Sequence, residues 1–486
     1  MKCHDVYWEI SIGYAVFKAA VSRRFSKPVY HFQVWSGGIV VLLAGVFSAV
    51  APVAAQTALT YSFSPQVIPE KYTQPIRLEV AVLQRPTRGM IDFSPAATTP
   101  MNIDLHDDGL AGDRTANDGV YTVLLPVEPI LRALRSDDVQ RVFVGHLNLF
   151  NDAAHVSPIN LFVDIYSPQV GTYAVSRLSN KVQVTSHLVN IWDESFFSTF
   201  DAAQVTREFY RLFGDDYDFL NIVSMPSRVA NRDHLQVRND VQGIGAGHID
   251  RTGTYGSKGR LLGITRFPAG CLFDGATVGY VHELGHQWIN YLNLPLLRSA
   301  SPHWPFSSMA GGIMGFSIGG RGGEGGNFPC QVVERNGAIV LEPRNDGPKF
   351  SDLDLYLMGL LSAEQAHEEF VFSDQEAARS LPGHCHGQTY TGDVIRLRIQ
   401  DIISREGPRK PAAGQAPTHF RIATILVTRD GLAGDETMWL YSWMAARAEL
   451  QSSTATHEGL VKQMSSPFFL ATGGRATLDT FLKLPN

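Results

Sequence analysis

One pentapeptide constrains this 486-residue chain more than any other feature: HELGH, at residues 282–286. It lies in the stretch GATVGYVHELGHQWINYL, which contains no proline. Apolar residues recur through it at helical spacing: Val281, Leu284, Trp288 and Tyr291. This period predicts a helix from Ala276 to Leu292 that buries one stripe. His282 and His286 would then lie one turn apart on the same face.

Two histidines at this spacing can bind a single metal ion. A neutral imidazole is a preferred ligand of zinc, and the residue after the first histidine can reach a water on the same ion. We therefore predict His282 and His286 as ligands of Zn²⁺, with Glu283 as the general base that takes a proton from the attacking water. The alternative is a pair of buried histidines that bind no metal.

The motif also carries a resemblance to a known family. Residues 274–292 resemble the active-site helix of the zincin metallopeptidases, and HELGHQW is similar to the gluzincin branch. The resemblance implies zinc, a water nucleophile and hydrolysis of a protein or peptide substrate. It covers the motif helix and, in outline, residues 179–380, but not the N-terminal part or the last hundred residues.

The third ligand departs from the common zincin patterns. Ile289 and Leu292 stand where a metzincin carries glycine and histidine. A gluzincin would place a glutamate soon after the second histidine, yet no acid occurs from Gln287 to Gly323. The sequence therefore leaves several candidates open. Asp354 is preferred and His303 is the main alternative, followed by Glu324 and Asp352.

The preference for Asp354 depends on its surroundings. The segment FSDLDLYLMGL, at residues 350–360, resembles one found in secreted bacterial proteins with the HExxH motif. We predict a short helix here, capped by Ser351, and a helix holds a ligand more rigidly than a loop. By contrast, the glycine-rich stretch Met309–Asn327 predicts a mobile surface loop. Tyr356 and His303 are candidate donors to an oxyanion.

The first 55 residues read as a secretory signal. Arg23, Arg24 and Lys27 precede an apolar run over residues 37–50, and small residues follow it. We therefore predict a secreted protein; an uncleaved membrane anchor is the alternative. Three cysteines follow this segment. They predict one disulfide and one free thiol, with Cys271–Cys330 as the preferred pair.

Residues 56–168 show short alternating runs separated by turn residues, which predict an all-β sandwich of immunoglobulin-like type. The acidic segment Asp107–Thr122 within them predicts turn chemistry, with structural Ca²⁺ as the alternative. Strands alternate with helices from residue 179 onward, so residues 179–486 form a predicted α+β zincin-like catalytic domain. The resemblance does not assign the part beyond about residue 390.

These observations predict a multidomain, secreted zinc metalloendopeptidase. A net charge of −6 excludes nucleic acid as an expected partner, because phosphate binding needs a basic surface. Two rivals remain. One is an extracellular binding or adhesion protein on a degenerate zincin scaffold. The other is a zinc hydrolase that acts on a non-peptide amide or ester.

Overall fold

The computed structural model describes fifteen ranges of the chain: residues 60–69, 72–82, 85–93, 100–132, 141–151, 159–166, 170–195, 201–225, 233–268, 279–298, 302–315, 330–343, 349–378, 386–451 and 467–484. The predicted secretory signal, residues 1–55, lies outside these ranges, so it stays a prediction. Within the described ranges, no helix combines the length and the apolar character that crossing a membrane requires.

The N-terminal part consists of two sheets. One has the order β1-β3-β6 and the other β2-β8-β7-β4-β5. Their strands are β1 (Thr60–Ser64), β2 (Val67–Pro69), β3 (Ile76–Ala81), β4 (Arg88–Phe93), β5 (Met101–Ile103), β6 (Val120–Leu125), β7 (Arg141–Phe150) and β8 (Ile159–Tyr166). Side chains from both sheets, such as Leu78 and Leu147, share one buried cluster.

This part confirms the predicted β-rich region but not its all-β character. A short helix, α1 (Val127–Arg132), follows β6, and Val127 and Ile130 are buried in the shared cluster. Pairing is antiparallel except between β2 and β8, which run parallel. The immunoglobulin-like assignment itself stays a prediction.

An eight-stranded mixed sheet forms the centre of the following region. Its order is β13-β16-β12-β22-β11-β10-β9, with β23 paired to β22. The strands are β9 (Ser176–Arg177), β10 (Val182–Val184), β11 (Leu188–Trp192), β12 (Phe219–Met225), β13 (Asp233–Gln236), β16 (Gly263–Pro268), β22 (His419–Thr428) and β23 (Thr477–Asp479). The central pairs β11–β22, β22–β12 and β12–β16 are parallel.

Both faces of this sheet are covered, as a parallel core requires. Every residue of β12 is buried. Phe219 and Val223 point into one hydrophobic cluster, whereas Leu220 and Ile222 point into another. Helix α2 (Ala202–Leu212) contributes to the second cluster, and the motif helix α3 (Gly279–Gly285) contributes to the first. The two helices therefore lie on opposite faces of the sheet.

Several local predictions in this region are confirmed. The predicted helix at residues 201–213 is α2, and the Asp201 side chain accepts a hydrogen bond from the Ala203 amide at its N-terminus. The C-terminal helix predicted at 437–451 is α8 (Asp435–Ala446). The segment at residues 181–192, predicted as one strand, is instead the hairpin β10–β11, since Thr185 bonds back to Leu188.

Smaller elements surround the mixed sheet. The strands are β14 (Arg238–Asn239), β15 (Ile249–Asp250), β17 (Cys330–Arg335), β18 (Ala338–Pro343), β19 (Glu369–Phe372), β20 (Gln388–Tyr390) and β21 (Val394–Leu397). The α-helices are α4 (Pro295–Arg298), α5 (Asp352–Met358), α6 (Gln375–Ala378), α7 (Ile399–Glu406) and α9 (Phe468–Ala471). Two 3-10 helices span Thr252–Tyr255 and Arg447–Glu449.

A group of charged side chains joins the sandwich to the end of β22. We call it the junction cluster: Arg77, Glu79, Arg114, Arg429 and Asp430. Glu79 is only 5% exposed and forms ion pairs with three arginines, including Arg429. Arg114 Nη2 donates to Asp430 Oδ2 at 2.6 Å. The sandwich is thus connected to the mixed sheet by paired charges that surround the buried Glu79.

Candidate metal centre

The motif helix is shorter than its apolar pattern predicts. The prediction ran from Ala276 to Leu292, but α3 ends at Gly285, and residues 276–278 lie outside the described ranges. His286 begins a tighter turn, with its amide bonded to the Glu283 carbonyl at 3.2 Å. Asn290 then adopts a left-handed φ of 79°. An asparagine tolerates that conformation, and no helix continues through it.

Three histidines converge at the end of this helix. The ligand nitrogens of His282, His286 and His303 all lie within 4.8 Å of one another. His282 Nε2 lies 3.0 Å from His303 Nε2. His282 is 4% exposed, and the other two are half-buried. Among the described residues, this is the one group of potential metal ligands that meets such a distance limit.

The hydrogen bonding of His282 determines which of its nitrogens faces the cluster as an acceptor. His282 Nδ1 lies 2.7 Å from the Ile313 carbonyl oxygen. A carbonyl can only accept, so Nδ1 carries the proton and a neutral ring has its lone pair on Nε2. This Nε2 is the atom that faces His303. An outer carbonyl that fixes the tautomer in this way is typical of histidines that bind metals, so the donor set fits a zinc ion.

Asp354, the preferred third ligand in the sequence, lies outside this group of three. Its Oδ1 accepts from Trp304 Nε1 at 2.6 Å, and its Oδ2 accepts from the Ser351 amide at 2.9 Å. The Ser351 hydroxyl in turn accepts from the Asp354 amide, which completes a capping box at the start of α5. The capping box turns the carboxylate back toward the helix end, so the fold brings His303, and not Asp354, together with the two motif histidines.

The remaining candidates have other surroundings. Asp352 accepts hydrogen bonds from the amide and from Nδ1 of His367, which is an exposed residue. Tyr356, a predicted oxyanion donor, instead accepts from the buried Arg409 amide at 3.2 Å. Glu324 lies outside the described residues.

Glu283 stands beside the first histidine on the same helix. Its side chain is 5% exposed, and it is the only acidic residue in α3. Gly285, two residues on, has no room for a side chain. A Cβ there would lie 2.5 Å from Met314 Sδ and 3.0 Å from Phe350 Cε1. The glycine therefore lets two other segments pack directly against the end of the motif helix.

The start of the glycine-rich stretch is not the mobile surface loop that was predicted. Met309, Ala310, Ile313 and Met314 are all buried. Its glycines permit close packing: a Cβ on Gly315 would overlap the Ala310 carbonyl. Residues 316–327 lie outside the described ranges. Composition alone could not reveal this use, because the same glycines would suit either a flexible linker or a tightly packed turn.

Burial changes the acidity of two carboxyl groups next to the His303 segment. Burial raises the pKa of Asp354 to about 6, although the Trp304 and Ser351 hydrogen bonds act against it. Burial likewise raises the pKa of Glu369 to about 7, and a hydrogen bond from Ser308 opposes this shift. Neither Trp304 nor Glu369 was singled out from the sequence. The signal that could have found Trp304 is its position directly after His303.

The acidic segment of the sandwich uses its carboxylates for turns. Asp108 accepts from the Leu110 amide at 2.9 Å, and Asp113 accepts from the Gly109 amide at 2.7 Å. Asp118 accepts from the Val120 amide at 2.9 Å. These contacts agree with the predicted turn chemistry. The calcium alternative stays a prediction, as do the predictions for Zn²⁺ and for a peptide substrate.

The predicted disulfide is only partly described. Cys330, at the start of β17, is buried and forms a disulfide. Its predicted partner, Cys271, lies outside the described residues, as does Cys385. Comparison with models of protein families, with curated proteins and with solved structures found no match to this chain.

Proposed function

We propose that this protein is a zinc-dependent hydrolase that cleaves peptide bonds. The observation that carries the proposal is the convergence of three histidine nitrogens within 4.8 Å, with the buried Glu283 next to His282 on the motif helix. His282, His286 and His303 would hold the metal. Zinc bound by three protein ligands keeps an open position and supplies a Lewis acid that activates water and polarises a carbonyl.

Glu283 is the proposed general base. Its carboxylate would take a proton from the attacking water and deliver it to the leaving amine. The low exposure of Glu283, 5%, limits competition from bulk water and strengthens electrostatic interactions in the site. A protein that only used the fold as a scaffold would have no need of this carboxylate next to the histidines.

A peptide substrate is supported by the edge of the mixed sheet. Among the described residues, strand β13 is the last strand on that side of the sheet, and it is antiparallel to β16. Gln236 Nε2 on β13 donates to the Gln287 carbonyl at 2.8 Å, so this edge lies against the segment that follows the motif. An extended peptide can add to such an edge through main-chain hydrogen bonds.

The substitution Glu283→Gln tests the proposal. The variant should keep the zinc content of the parent protein and lose at least roughly a hundredfold in the rate of peptide cleavage, because general acid–base catalysis contributes that much or more. Glu364→Gln, on an exposed residue of the segment after α5, is the matched control and should cleave like the parent. Equal activity in Glu283→Gln would contradict the mechanism.

Zinc analysis and cleavage assays on the parent protein distinguish the three candidate functions. Zinc binding together with cleavage of a broad peptide library supports the peptidase. Stoichiometric zinc with cleavage of esters or small amides alone would move the proposal to a non-peptide hydrolase. Zinc-free protein that cleaves nothing would favour an extracellular binding protein.

We also propose that the protein is exported, on the basis of its basic and apolar N-terminal run. N-terminal sequencing of the protein recovered from the culture medium should begin after Ala55. Full retention of the intact chain in the cell membrane would contradict a cleaved signal.

A further inference from the structure

A buried hydrogen bond connects the start of α5 to the segment that carries His303. Trp304 is 1% exposed and Asp354 is fully buried. The indole Nε1 of Trp304 donates to Asp354 Oδ1 at 2.6 Å. A bond to a carboxylate at this distance is among the stronger hydrogen bonds in proteins. Trp304 directly follows His303, so fixing the indole also restricts the backbone of the histidine.

The residues just before α5 also contact the segment that accepts a hydrogen bond from His282. The Ile313 amide donates to the Lys349 carbonyl at 3.0 Å, and the Ile313 carbonyl accepts from His282 Nδ1. The Trp304 amide donates to the Met314 carbonyl at 3.0 Å, which joins the two supporting segments to each other. The residues before and at the start of α5 thus contact the supports of two of the three histidines.

The carboxylate of Asp354 is itself held in one orientation. Its second oxygen accepts from the Ser351 amide, so rotation would cost that hydrogen bond. Its burial keeps bulk water from replacing the Trp304 contact. The side chain is therefore a fixed acceptor that determines where the indole lies.

We propose that Asp354 is a positioning residue of the metal centre, which acts through Trp304 to hold His303 in place for metal binding. This inference rests on the proposed zinc function. Outer contacts of this kind commonly change metal affinity by roughly 10–100-fold when removed. The role differs from that of a ligand, because Asp354 would not touch the ion.

The test measures zinc affinity by competition with a chromophoric chelator and records the visible spectrum after substitution with Co²⁺. Trp304→Phe removes only the indole donor, and Asp354→Leu removes the acceptor. Both should lose roughly 10–100-fold in zinc affinity and shift the Co²⁺ spectrum. Asp354→Asn, which keeps an oxygen for Trp304, should recover most of the affinity.

Two controls separate positioning from general helix stability. Ser351→Ala removes the hydroxyl cap of α5 but leaves the Trp304 contact. Asp352→Asn changes the neighbouring acid, whose partner is the exposed His367. Both controls should match the parent in zinc affinity and spectrum. Circular dichroism on each variant confirms that it folds.

Three outcomes would contradict the inference. Unchanged affinity and spectrum in Trp304→Phe would overturn it while leaving the proposed function intact. A total loss in Asp354→Asn, with Trp304→Phe unaffected, would instead make Asp354 a ligand. A parent protein without zinc affinity would overturn the proposed function and this inference together.

Discussion

Carboxylates with contrasting partners occur in two regions of this protein. In the junction cluster, Glu79 and Asp430 contact arginines. Beside the metal centre, Asp354 accepts hydrogen bonds from an indole and from a main-chain amide, both of them neutral donors. Burial alone would raise the pKa of Asp430, but hydrogen bonds from Arg429 and Arg114 lower it below its ordinary value. Burial raises the pKa of Asp354 to about 6.

The difference separates two uses of buried polar groups. Paired charges at the junction offset the cost of desolvation, so they fix one part of the fold to another. Beside the metal centre, the neutral donors do not offset the full cost of ionising Asp354 in a buried position. They do fix the orientation of its carboxyl group toward Trp304. The first arrangement is suited to holding domains together, and the second to placing a ligand.

The largest expected loss of stability comes from removing an arginine of the junction cluster. Arg429→Ala leaves Glu79, which is 5% exposed, with less compensation for its charge. Removing one partner of a buried ion pair typically costs about 3–5 kcal/mol. We expect the lower end of that range, because Arg77 and Arg114 still contact Glu79. Urea denaturation measures the loss in free energy of unfolding.

The matched control is a pair on the surface. Arg335 and Glu342 form an ion pair between neighbouring strands, and Arg335 is 62% exposed. Arg335→Ala should leave the denaturation midpoint unchanged, since exposed pairs contribute little. If Arg429→Ala behaved like this control, the junction cluster would not fix the sandwich to the mixed sheet.

A smaller loss of stability is expected from adding a methyl group to the closely packed motif helix. Gly285→Ala would bring a methyl group 2.5 Å from Met314 Sδ. Overpacking of this kind costs roughly 1–3 kcal/mol, and the displaced segment also supports His282. Gly253→Ala is the control, because nothing lies within 4 Å of a Cβ there. Equal stability of the two variants would show that Gly285 is not tightly packed.

The last prediction concerns the pH dependence of stability. Asp354 binds its proton more tightly in the folded chain than in the unfolded chain, because its pKa rises from 3.8 to about 6. Between these values only the unfolded chain has lost the proton, so stability falls as pH rises through this window. Metal-free Asp354→Asn should lack this decline, which a shift of about two pKa units makes about 3 kcal/mol in size.

The junction cluster should contribute a pH dependence of stability that has the opposite sign. Because the pKa of Asp430 is lowered in the folded protein, its contribution is present above the ordinary value and is lost as pH falls through the folded value. Thermal denaturation of the metal-free parent and of Asp354→Asn over this acidic range measures both trends. An unchanged slope in the variant would contradict the assignment of the higher-pH decline to Asp354.

The sequence predicted those elements whose signals are local. Helix α2 has an aspartate cap and an apolar period, and β12 has a continuous apolar run. The motif helix was predicted too long, because Trp288, Ile289 and Leu292 stay buried after the helix has ended. Apolar spacing reports burial, and a tight turn can bury the same residues without a helix.

The candidate site was predictable only in part. His282, Glu283 and His286 lie in one motif, whereas His303 reaches them across 21 residues, and the Ile313 carbonyl across 31. No short-range pattern encodes those contacts. Asp354 looked like a ligand because it is an acid on a rigid helix; its position three residues after Ser351 also fits a capping box, which is the use that the structure reveals.

The central claim is that three histidines, with His303 as the third, form the zinc site. Elemental analysis of purified protein tests it most directly, for the parent and for His303→Ala side by side. We expect about one zinc per parent chain, as for a site with one metal, and almost none in His303→Ala. Full zinc retention in His303→Ala, or a parent protein that binds no zinc, would contradict it.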